Sequence, residues 1–344
     1  MGKTGKITLL KFEISPTLTI LSPLLTNSTS LVLLLSACLD YIVGDPWGWL
    51  HPVQVMGWSI QNYNKIVLKF CADGWQRRLA GIVLGLGLII GSGLVGWLLV
   101  FLTTTVHPIL GLLIQVIVLA SCFAGKSLRV AVEDVLVPLN NNHLARSRER
   151  LGLYVGRDTA NLSHAEILRA LLETVAENAV DGVTAPLFYA LAGSFLPVGA
   201  VPLALAYKAA STLDSMVGYR REPYFDLGWF SAQLEDRLTW LPCRLTILTL
   251  SLGSGKPFEV WSICRRDGVK DPSPNSGWSE AAYAAILKVQ LGGTNTYQGI
   301  VKEKPLLGNN IEPITSEKIY RGLSLTRYCF LSWLTIAIIV HYFV

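Results

Sequence analysis

The chain has 344 residues, and its low charge content separates it from ordinary soluble proteins. Half of the residues (51%) are apolar and only 15% are charged, whereas soluble domains usually carry about 25% charged residues. The net charge is +5 without a block of like charges, so the sequence does not indicate a nucleic-acid partner. Composition therefore excludes a single soluble domain, a collagen-like chain and a disordered chain, and it predicts a membrane protein with substantial aqueous parts.

Charge-free stretches show where the chain is expected to cross the bilayer. A span needs about 20 apolar helical residues, so the 47 residues of Leu79–Gly125 predict two spans. We place their turn at Thr103–Thr105, with His107 and Pro108 beginning the return helix. A further span is expected from about Thr17 to Gly44, and a short one is expected at Tyr328–Val344.

Two other apolar runs are less regular. Prolines and glycines interrupt Val183–Tyr207, as in broken or re-entrant segments whose free backbone groups are buried in protein. The run Leu238–Gly255 is short and contains Pro242 and Arg244, which favours an interfacial or re-entrant helix over the alternative of a tilted span. The predicted fold is mainly α, a polytopic helical membrane protein with about four to six membrane segments, some of them re-entrant.

The polar segments between these runs carry the lysines and arginines. This distribution places them in the cytoplasm of a cell-membrane protein, although the basic N-terminal tail then faces outward. Six segments follow: 1–30 as a retained extension, 31–125 as membrane helices with a cytoplasmic loop at 45–78, 126–182 as a cytoplasmic helical loop, 183–255 as broken membrane segments, 256–327 as a cytoplasmic substrate region, and 328–344 as a final membrane helix.

Glycines and cysteines have structural explanations. The glycine-rich helix at 79–102 contains GxxxG spacings that allow close helix packing, either within the chain or in a homo-oligomer. The six cysteines are scattered without CxxC spacing, and the five histidines are dispersed. We therefore expect no zinc site and no disulfide framework.

A helix rich in carboxylates is the most informative polar element. Ser163 and Glu166 form a capping box, and the pattern predicts a helix that ends at Asp181 and Gly182. Glu173, Glu177 and Asp181 follow one another at four-residue steps, on the face opposite the apolar stripe, so their charges repel one another. Asp181 would also oppose the helix dipole. A bound Mg²⁺ would relieve both costs, and the alternative is a solvated helix face.

Three later motifs are weaker individually. Lys208, Ser211, Thr212 and Ser215 share a helix face beside Asp214 and predict either phosphate binding or satisfaction of a helix end. The Asp271-Pro-Ser-Pro-Asn275 segment predicts a stiff turn before a helix. Around Gly292 and Gly293, glycine amides would form an anion-binding loop.

Together these segments resemble the adenosylcobinamide-phosphate synthase family of cobalamin biosynthesis, which consists of integral membrane enzymes. The resemblance runs from about Leu31 to Gly308 and departs at Asp271, where the family usually has histidine. The matching pieces follow the family's order: Leu39–Pro46, His51–Val53, Val155–Thr159, Glu173–Tyr189, Tyr207–Lys208, Thr212–Tyr219, the Pro-Ser-Pro-Asn turn and a final Leu-Gly-Gly.

The resemblance implies an ATP-dependent ligase that joins adenosylcobyric acid to aminopropanol O-phosphate. We expect the corrinoid and the amino-alcohol phosphate to be substrates, and ATP and Mg²⁺ to be required. The expected roles are catalysis by Asp214 and Lys208, metal binding by Glu173, Glu177 and Asp181, and nucleotide or phosphate binding by Arg157, Ser211, Thr212, Ser215, Asn275, Gly292 and Gly293. The alternative is a secondary transporter or corrinoid-binding membrane module without catalysis, favoured by the broken apolar run.

Overall fold

The computed structural model describes residues 28–44, 51–219 and 221–343. These ranges contain the following elements: α1 (Ser28–Ile42), α2 (Pro52–Phe70), α3 (Gly74–Val106), α4 (Pro108–Ala120), α5 (Gly125–Asn140), α6 (Leu144–Leu151), α7 (His164–Asn178), a π-helical turn (Ala179–Thr184), α8 (Ala185–Ser194), α9 (Ala200–Val217), α10 (Tyr224–Leu227), α11 (Trp229–Gly253), α12 (Pro257–Asp267), a 3-10 turn (Gly268–Lys270), α13 (Ser276–Leu287), β1 (Leu291–Tyr297), β2 (Ile300–Leu307) and α14 (Ser316–Phe343).

Three helical stretches are long and apolar enough to cross a membrane. They are α3, the stretch Pro108–Asn140 that contains α4 and α5, and α14. Helix α1 is apolar but shorter. The prediction of a mainly α, polytopic membrane protein is therefore confirmed. Residues 1–27, which include most of the N-terminal extension and the first part of the span predicted from about Thr17 to Gly44, lie outside the described residues.

Helices α3 and α4 form the predicted membrane hairpin, but the turn lies later than expected. The Thr103 and Thr105 hydroxyls donate to the carbonyls of Leu99 (2.6 Å) and Phe101 (2.8 Å), so these threonines extend α3 to Val106. The break falls at His107, whose Nδ1 accepts from the Ile109 amide at 3.2 Å. A threonine run reads as a polar turn in sequence, but in a helix its hydroxyls bond back to the preceding turn.

Glycines of α3 pack against other helices of the same chain. A Cβ at Gly81 would overlap the Leu227 carbonyl, and one at Gly96 would come within 2.7 Å of the Leu205 side chain. By contrast, Gly87 and Gly91 have no described neighbour within 4 Å of such a Cβ. Close packing through glycine thus operates within the chain, and the homo-oligomer stays a prediction.

The Val183–Tyr207 run is a helical hairpin. Helix α8 leads to a turn at Phe195–Gly199, and α9 returns against it. The Phe195 ring stacks on His341 near the end of α14, with 4.1 Å between ring centroids. The tip of the hairpin therefore lies beside the far end of the last span, while the start of α8 and the end of α9 both lie at the opposite end of the bundle.

The Leu238–Gly255 run belongs to one longer helix, α11, which starts in charged sequence at Trp229. Pro242 lies inside this helix and lacks the amide that would bond the Leu238 carbonyl. The Tyr189 hydroxyl donates to that carbonyl instead, at 2.9 Å. The Tyr189 hydroxyl of α8 thus replaces the missing donor, and α11 continues through Pro242. The same hydrogen bond links α8 to α11.

The last helix is longer than its apolar run. Helix α14 starts at Ser316, twelve residues before the charge-free stretch. In its first turns Gly322 allows close approach to α7, since a Cβ there would lie 3.4 Å from Leu172 and 3.5 Å from Val175. The Tyr283 hydroxyl of α13 pairs with that of Thr326 at 2.7 Å. The first part of α14 thus anchors the polar layer to the membrane helices.

Residues 291–307 form an antiparallel β-hairpin, which the prediction of a loop did not anticipate. Strand β1 pairs with β2 from Leu291 opposite Leu307 to Tyr297 opposite Ile300, with an irregularity between Leu291 and Gly293. Gly292 and Gly293 have φ values of 84° and 87°, a region that glycine adopts without strain. They lie at the irregularity, where the Gly292 amide donates to Glu173 of α7.

Candidate functional site

The predicted capping box and apolar stripe of α7 are both present. The Ser163 side chain accepts from the Glu166 amide, and the Glu166 side chain accepts from the Ser163 amide at 2.7 Å. The stripe is buried throughout: Ile167, Leu168, Leu171, Leu172, Val175 and Ala179. Local sequence therefore determines where α7 starts and which face enters the core.

The helix does not end at Asp181 and Gly182, which corrects the sequence prediction. From Ala179 the chain continues as a π-helical turn and then as α8. Gly182 lies inside this turn, where a Cβ would approach Ala124 to 3.3 Å. Because the helix does not end there, Asp181 does not face an exposed C-terminal dipole. Single π-turns inside helices occur often at functional sites.

A cluster of carboxylates surrounds this turn. We call it the acid cluster and define it as Glu177, Asp181, Asp214, Glu235 and Asp236. Burial raises the pKa of Asp181 well above its usual range, and the charges of the other four members raise it further. The members come from α7, the π-turn, α9 and α11. The structure thus adds three acids to two of the predicted metal ligands.

Glu177 differs from its neighbours because its side chain is exposed to solvent. Desolvation by the surrounding protein nevertheless raises the pKa of its carboxyl, with Asp271 and Glu173 adding to the shift and Lys304 opposing it. The Glu177 side chain thus reaches solvent while many protein atoms surround it. Glu177 is therefore the acid that a dissolved ligand reaches most directly.

Asp214 lies in the last turn of α9, beyond the apolar run. Burial, with the charges of Asp236 and Glu177, raises the pKa of this carboxyl to about 6. A methyl group at position 218 would overlap the Asp214 carboxylate, so glycine is required there for this side-chain position. A carboxylate with a pKa near neutrality is suited to proton transfer at the pH of a cell.

The predicted hydroxyl stripe on α9 bonds the helix backbone. The Thr212 hydroxyl donates to the Lys208 carbonyl at 2.7 Å, and that of Ser215 donates to the Ser211 carbonyl at 2.9 Å. Both carbonyls lie inside α9 and not at its end, so phosphate binding and satisfaction of a helix end both stay predictions. Each of the two hydroxyl oxygens can still accept a hydrogen bond, but each hydroxyl proton is already donated to a carbonyl of α9.

Glu235 is a buried member of the acid cluster that sequence analysis missed. It is 7% exposed and accepts hydrogen bonds from the hydroxyls of Thr239 and Tyr207. Burial raises the pKa of Glu235 to about 7, with Asp214 and Asp236 contributing. In sequence, Leu-Glu-Asp-Arg resembles an ordinary solvated turn of helix, and the only local sign was the hydroxyl of Thr239 four residues later.

A second charged group, around Lys304 of β2, adjoins the acid cluster at Glu177. The Lys304 ammonium lies 3.4 Å from Glu280 and 4.0 Å from Asp271. Glu280 is fully buried, and burial raises its pKa to about 8. These carboxylates keep the pKa of Lys304 above its usual value. A lone acid within the apolar helix α13 was the sequence signal for Glu280, and nothing local indicated Lys304.

Arg157 and Glu173 form a buried ion pair whose side chains are 8% and 2% exposed. The other Glu173 oxygen accepts from the Gly292 amide at 2.9 Å, and Arg157 donates to the Asn295 side chain at 2.8 Å. The anion held by the predicted glycine loop is therefore Glu173 of the protein itself. Gly293 lies beside Arg169. That Glu173 also binds a metal stays a prediction.

Asn275 is buried and links two elements of the site. Its side chain donates to the Asp236 carbonyl at 2.8 Å and accepts from Arg244 at 2.8 Å. Arg244 also donates to the Pro274 carbonyl at 2.9 Å. Asn275 thus fixes the predicted turn against α11, immediately beside Asp236. Its structural role is evident, and its predicted role in ligand binding stays a prediction.

Several of the predicted site residues therefore belong to one charged region. Glu177, Asp181 and Asp214 interact electrostatically with one another, and Arg157, Glu173 and Gly292 contact one another nearby. Throughout residues 28–44, 51–219 and 221–343, no group of three or more His, Cys, Asp or Glu side chains has the spacing to hold a metal ion. Each of the six cysteines is a free thiol.

Comparison with known proteins assigns the family. A family model described as CobD/Cbib protein matches residues 33–326. The chain belongs to the CobD/CbiB family. It is 58% identical over 306 residues to cobalamin biosynthesis protein CobD of Synechocystis, covering 89% of this chain and 90% of that protein.

More distant relatives cover similar lengths. Cobalamin biosynthesis protein CbiB of Salmonella typhimurium is 41% identical over 291 residues, covering 83% of this chain and 89% of the relative. Cobalamin biosynthesis protein CobD of Halalkalibacterium halodurans is 40% identical over 301 residues, covering 86% and 91%. No solved structure matches the chain. The matched family region includes the acid cluster, the Lys304 group and the Arg157–Glu173 pair.

Proposed function

We propose that this chain acts in cobalamin biosynthesis as an ATP-dependent ligase. It would join a propionate of adenosylcobyric acid to the amine of aminopropanol O-phosphate and so form adenosylcobinamide phosphate. Membership of the CobD/CbiB family supports the pathway. The observation that carries the chemistry is the acid cluster, in which an accessible carboxylate lies beside others with raised pKa values.

The reaction needs activation because a carboxylate and an ammonium ion do not condense at neutral pH. In the proposed sequence the propionate oxygen attacks a phosphorus of ATP, which releases ADP or pyrophosphate and leaves an acyl phosphate or acyl adenylate. The neutral amine then attacks the acyl carbon, and phosphate or AMP leaves. One proton of the ammonium ion must pass to a base before this attack.

Asp214 is the proposed proton acceptor. Its pKa of about 6 leaves it ionised at neutral pH but close enough to neutrality to accept a proton during the reaction. Asp236 and Glu177 maintain this raised pKa through their charges. Glu235, held by Thr239 and Tyr207, interacts electrostatically with Asp214 and would stabilise a proton on that carboxyl.

The acid cluster also fits the Mg²⁺ of a nucleotide. Excess negative charge with raised pKa values is relieved by a cation, and oxygen ligands suit Mg²⁺. Protein sites usually hold this ion through one or two carboxylates and substrate phosphates, so a cage of three protein acids is not required. Glu177 and Asp181 would hold it. When bound, the ion neutralises phosphate charge.

Lys304 and Arg157 are the two cationic side chains proposed to bind the phosphates. The Lys304 side chain is 26% exposed, although Glu280 and Asp271 lie near its ammonium group. The Arg157 side chain is only 8% exposed and is held by Glu173 and Asn295. Lys304 is therefore the better placed of the two to meet a phosphate oxygen. Lys208, in the middle of α9, stays a proposed participant. By the positive-inside distribution, we place this site on the cytoplasmic face of the cell membrane.

The function is tested with the purified full-length protein in detergent. Adenosylcobyric acid, aminopropanol phosphate, ATP and Mg²⁺ are incubated with it, and mass spectrometry follows the amide product and the nucleotide product. We expect both products in equal amounts, and none of the amide without ATP. Tight corrinoid binding with no ATP consumption and no amide would support a binding module or transporter instead.

A further inference from the structure

A groove opens beside the acid cluster and has no role in the reaction as described above. It has a volume of about 600 Å³, and its lining comes from one face of α11 and from the proline turn: Gln233, Asp236, Arg237, Trp240, Pro272 and Pro274. Asp236 belongs to the acid cluster, so the groove adjoins that cluster at this residue. Small-molecule sites commonly have volumes of about 300–1,000 Å³.

The walls of this groove are held rigidly. Arg244 lies over the rings of Trp240 and Trp278, with 5.2 Å and 4.6 Å to the ring centroids. The same guanidinium donates to Asn275 and to the Pro274 carbonyl. Cation–π contacts and hydrogen bonds together fix the indole against the turn. A ligand would therefore meet a preformed surface.

The exposed groups in the groove are complementary to a purine nucleotide. The Trp240 side chain is half exposed (50%) although its position is fixed, and an indole is a good surface for stacking a nucleobase. The Gln233 amide supplies both a donor and an acceptor for the edge of a base. Arg237 is exposed and supplies positive charge for phosphates.

We propose that this groove binds the purine ring of the Mg–nucleoside triphosphate, with Trp240 stacked on the base and the phosphates directed past Arg237 toward Asp236 and the acid cluster. The inference rests on the proposed function, because it supplies the nucleotide for that reaction. It assigns to the Pro272–Pro274 turn the role of a rigid wall for the nucleotide.

Binding without turnover provides the test. The purified full-length protein in detergent is titrated with a fluorescent mant derivative of AMP-PNP and Mg²⁺, and anisotropy reports binding. We expect Trp240→Ala to weaken binding about tenfold or more and Trp240→Phe to retain most of the affinity, because phenylalanine still stacks. Trp58→Ala is the matched control, since Trp58 is exposed on α2. Arg237→Gln should weaken binding of AMP-PNP more than that of adenosine.

Different outcomes separate this inference from the proposed function. Equal AMP-PNP affinities for wild type, Trp240→Ala and Arg237→Gln would overturn the nucleotide groove, even if amide formation is normal. If Trp240→Ala raised the KM for the corrinoid and left the KM for ATP unchanged, the nucleotide groove would also be overturned and the groove would be assigned to the corrinoid. Conversely, Trp240-dependent AMP-PNP binding in a protein that forms no amide would refute the proposed function and leave this inference standing.

Discussion

Replacing Asp214 by asparagine should stabilise the protein in a pH-dependent way. The pKa of this carboxyl rises from 3.8 to about 6 in the folded state because of burial and neighbouring negative charge. One pKa unit corresponds to about 1.36 kcal/mol, so the ionised side chain costs at most about 3 kcal/mol. Asparagine keeps the shape of the side chain and removes the charge, and with it this cost.

The sign follows from proton binding. Between pH 3.8 and about 6 the folded state binds more protons at Asp214 than the unfolded state does. The contribution of Asp214 to the free energy of unfolding of the wild type therefore falls as pH rises through this window and levels off above it. The difference between variant and wild type should be near zero at pH 4 and reach its maximum at pH 7.

Thermal unfolding in detergent from pH 4.5 to 8, without nucleotide, measures this difference. Glu149→Gln is a suitable control because Glu149 is exposed on α6, far in sequence from the cluster. We expect Asp214→Asn to melt higher than wild type at pH 7, by a margin that shrinks toward pH 4.5, and to form no amide. A pH-independent margin, or normal amide formation, would refute the reasoning about this residue.

Three further predictions test other parts of the site. Glu177→Gln should preserve or raise the melting temperature without nucleotide, lose the stabilisation by Mg–ATP that ligand linkage predicts, and abolish amide formation; a wild-type shift with Mg–ATP would contradict this. Asp271→His should keep partial activity, whereas Asn275→Ala should lose more, because it leaves Arg244 and the Asp236 carbonyl without their partner. In a cysteine-free background, single cysteines are introduced in place of Asn161, Tyr224 and Gly308, one in each of three polar segments. On intact cells they should resist an impermeant thiol reagent, and ready labelling of any one would revise the topology.

Local sequence was sufficient for the elements whose stability is local. The capping box of α7 and its apolar stripe depend on residues within a few turns of one another, and both are present. The end of the same helix was not predictable in this way. The π-turn around Asp181 continues into α8, and Gly182 packs closely against Ala124, 58 residues earlier in the chain. Tertiary packing, which the sequence pattern does not show, decides where such a helix ends.

The charged partners of the site were hidden for a similar reason. Glu173 pairs with Arg157, 16 residues before it, and with the Gly292 amide, 119 residues after it. Glycine adopts the positive φ values of Gly292 and Gly293 without strain, so their conformation could be expected from sequence. That the Gly292 amide binds the carboxylate of Glu173 could not be expected. An acidic helix face was therefore visible in sequence, while the β-hairpin that covers it and delivers Lys304 was not.

The site depends on helices that also pack among the membrane spans. Asp214 lies at the end of α9, which packs along α3, where Gly96 allows contact with Leu205. Asp181 precedes α8, whose hairpin with α9 reaches His341 near the end of the last span. Because helices are stiff and their packed faces fix one another, the spacing of the carboxylates is set by contacts within the bundle. The membrane helices thus act as the scaffold of the charged site, in addition to holding the protein in the bilayer.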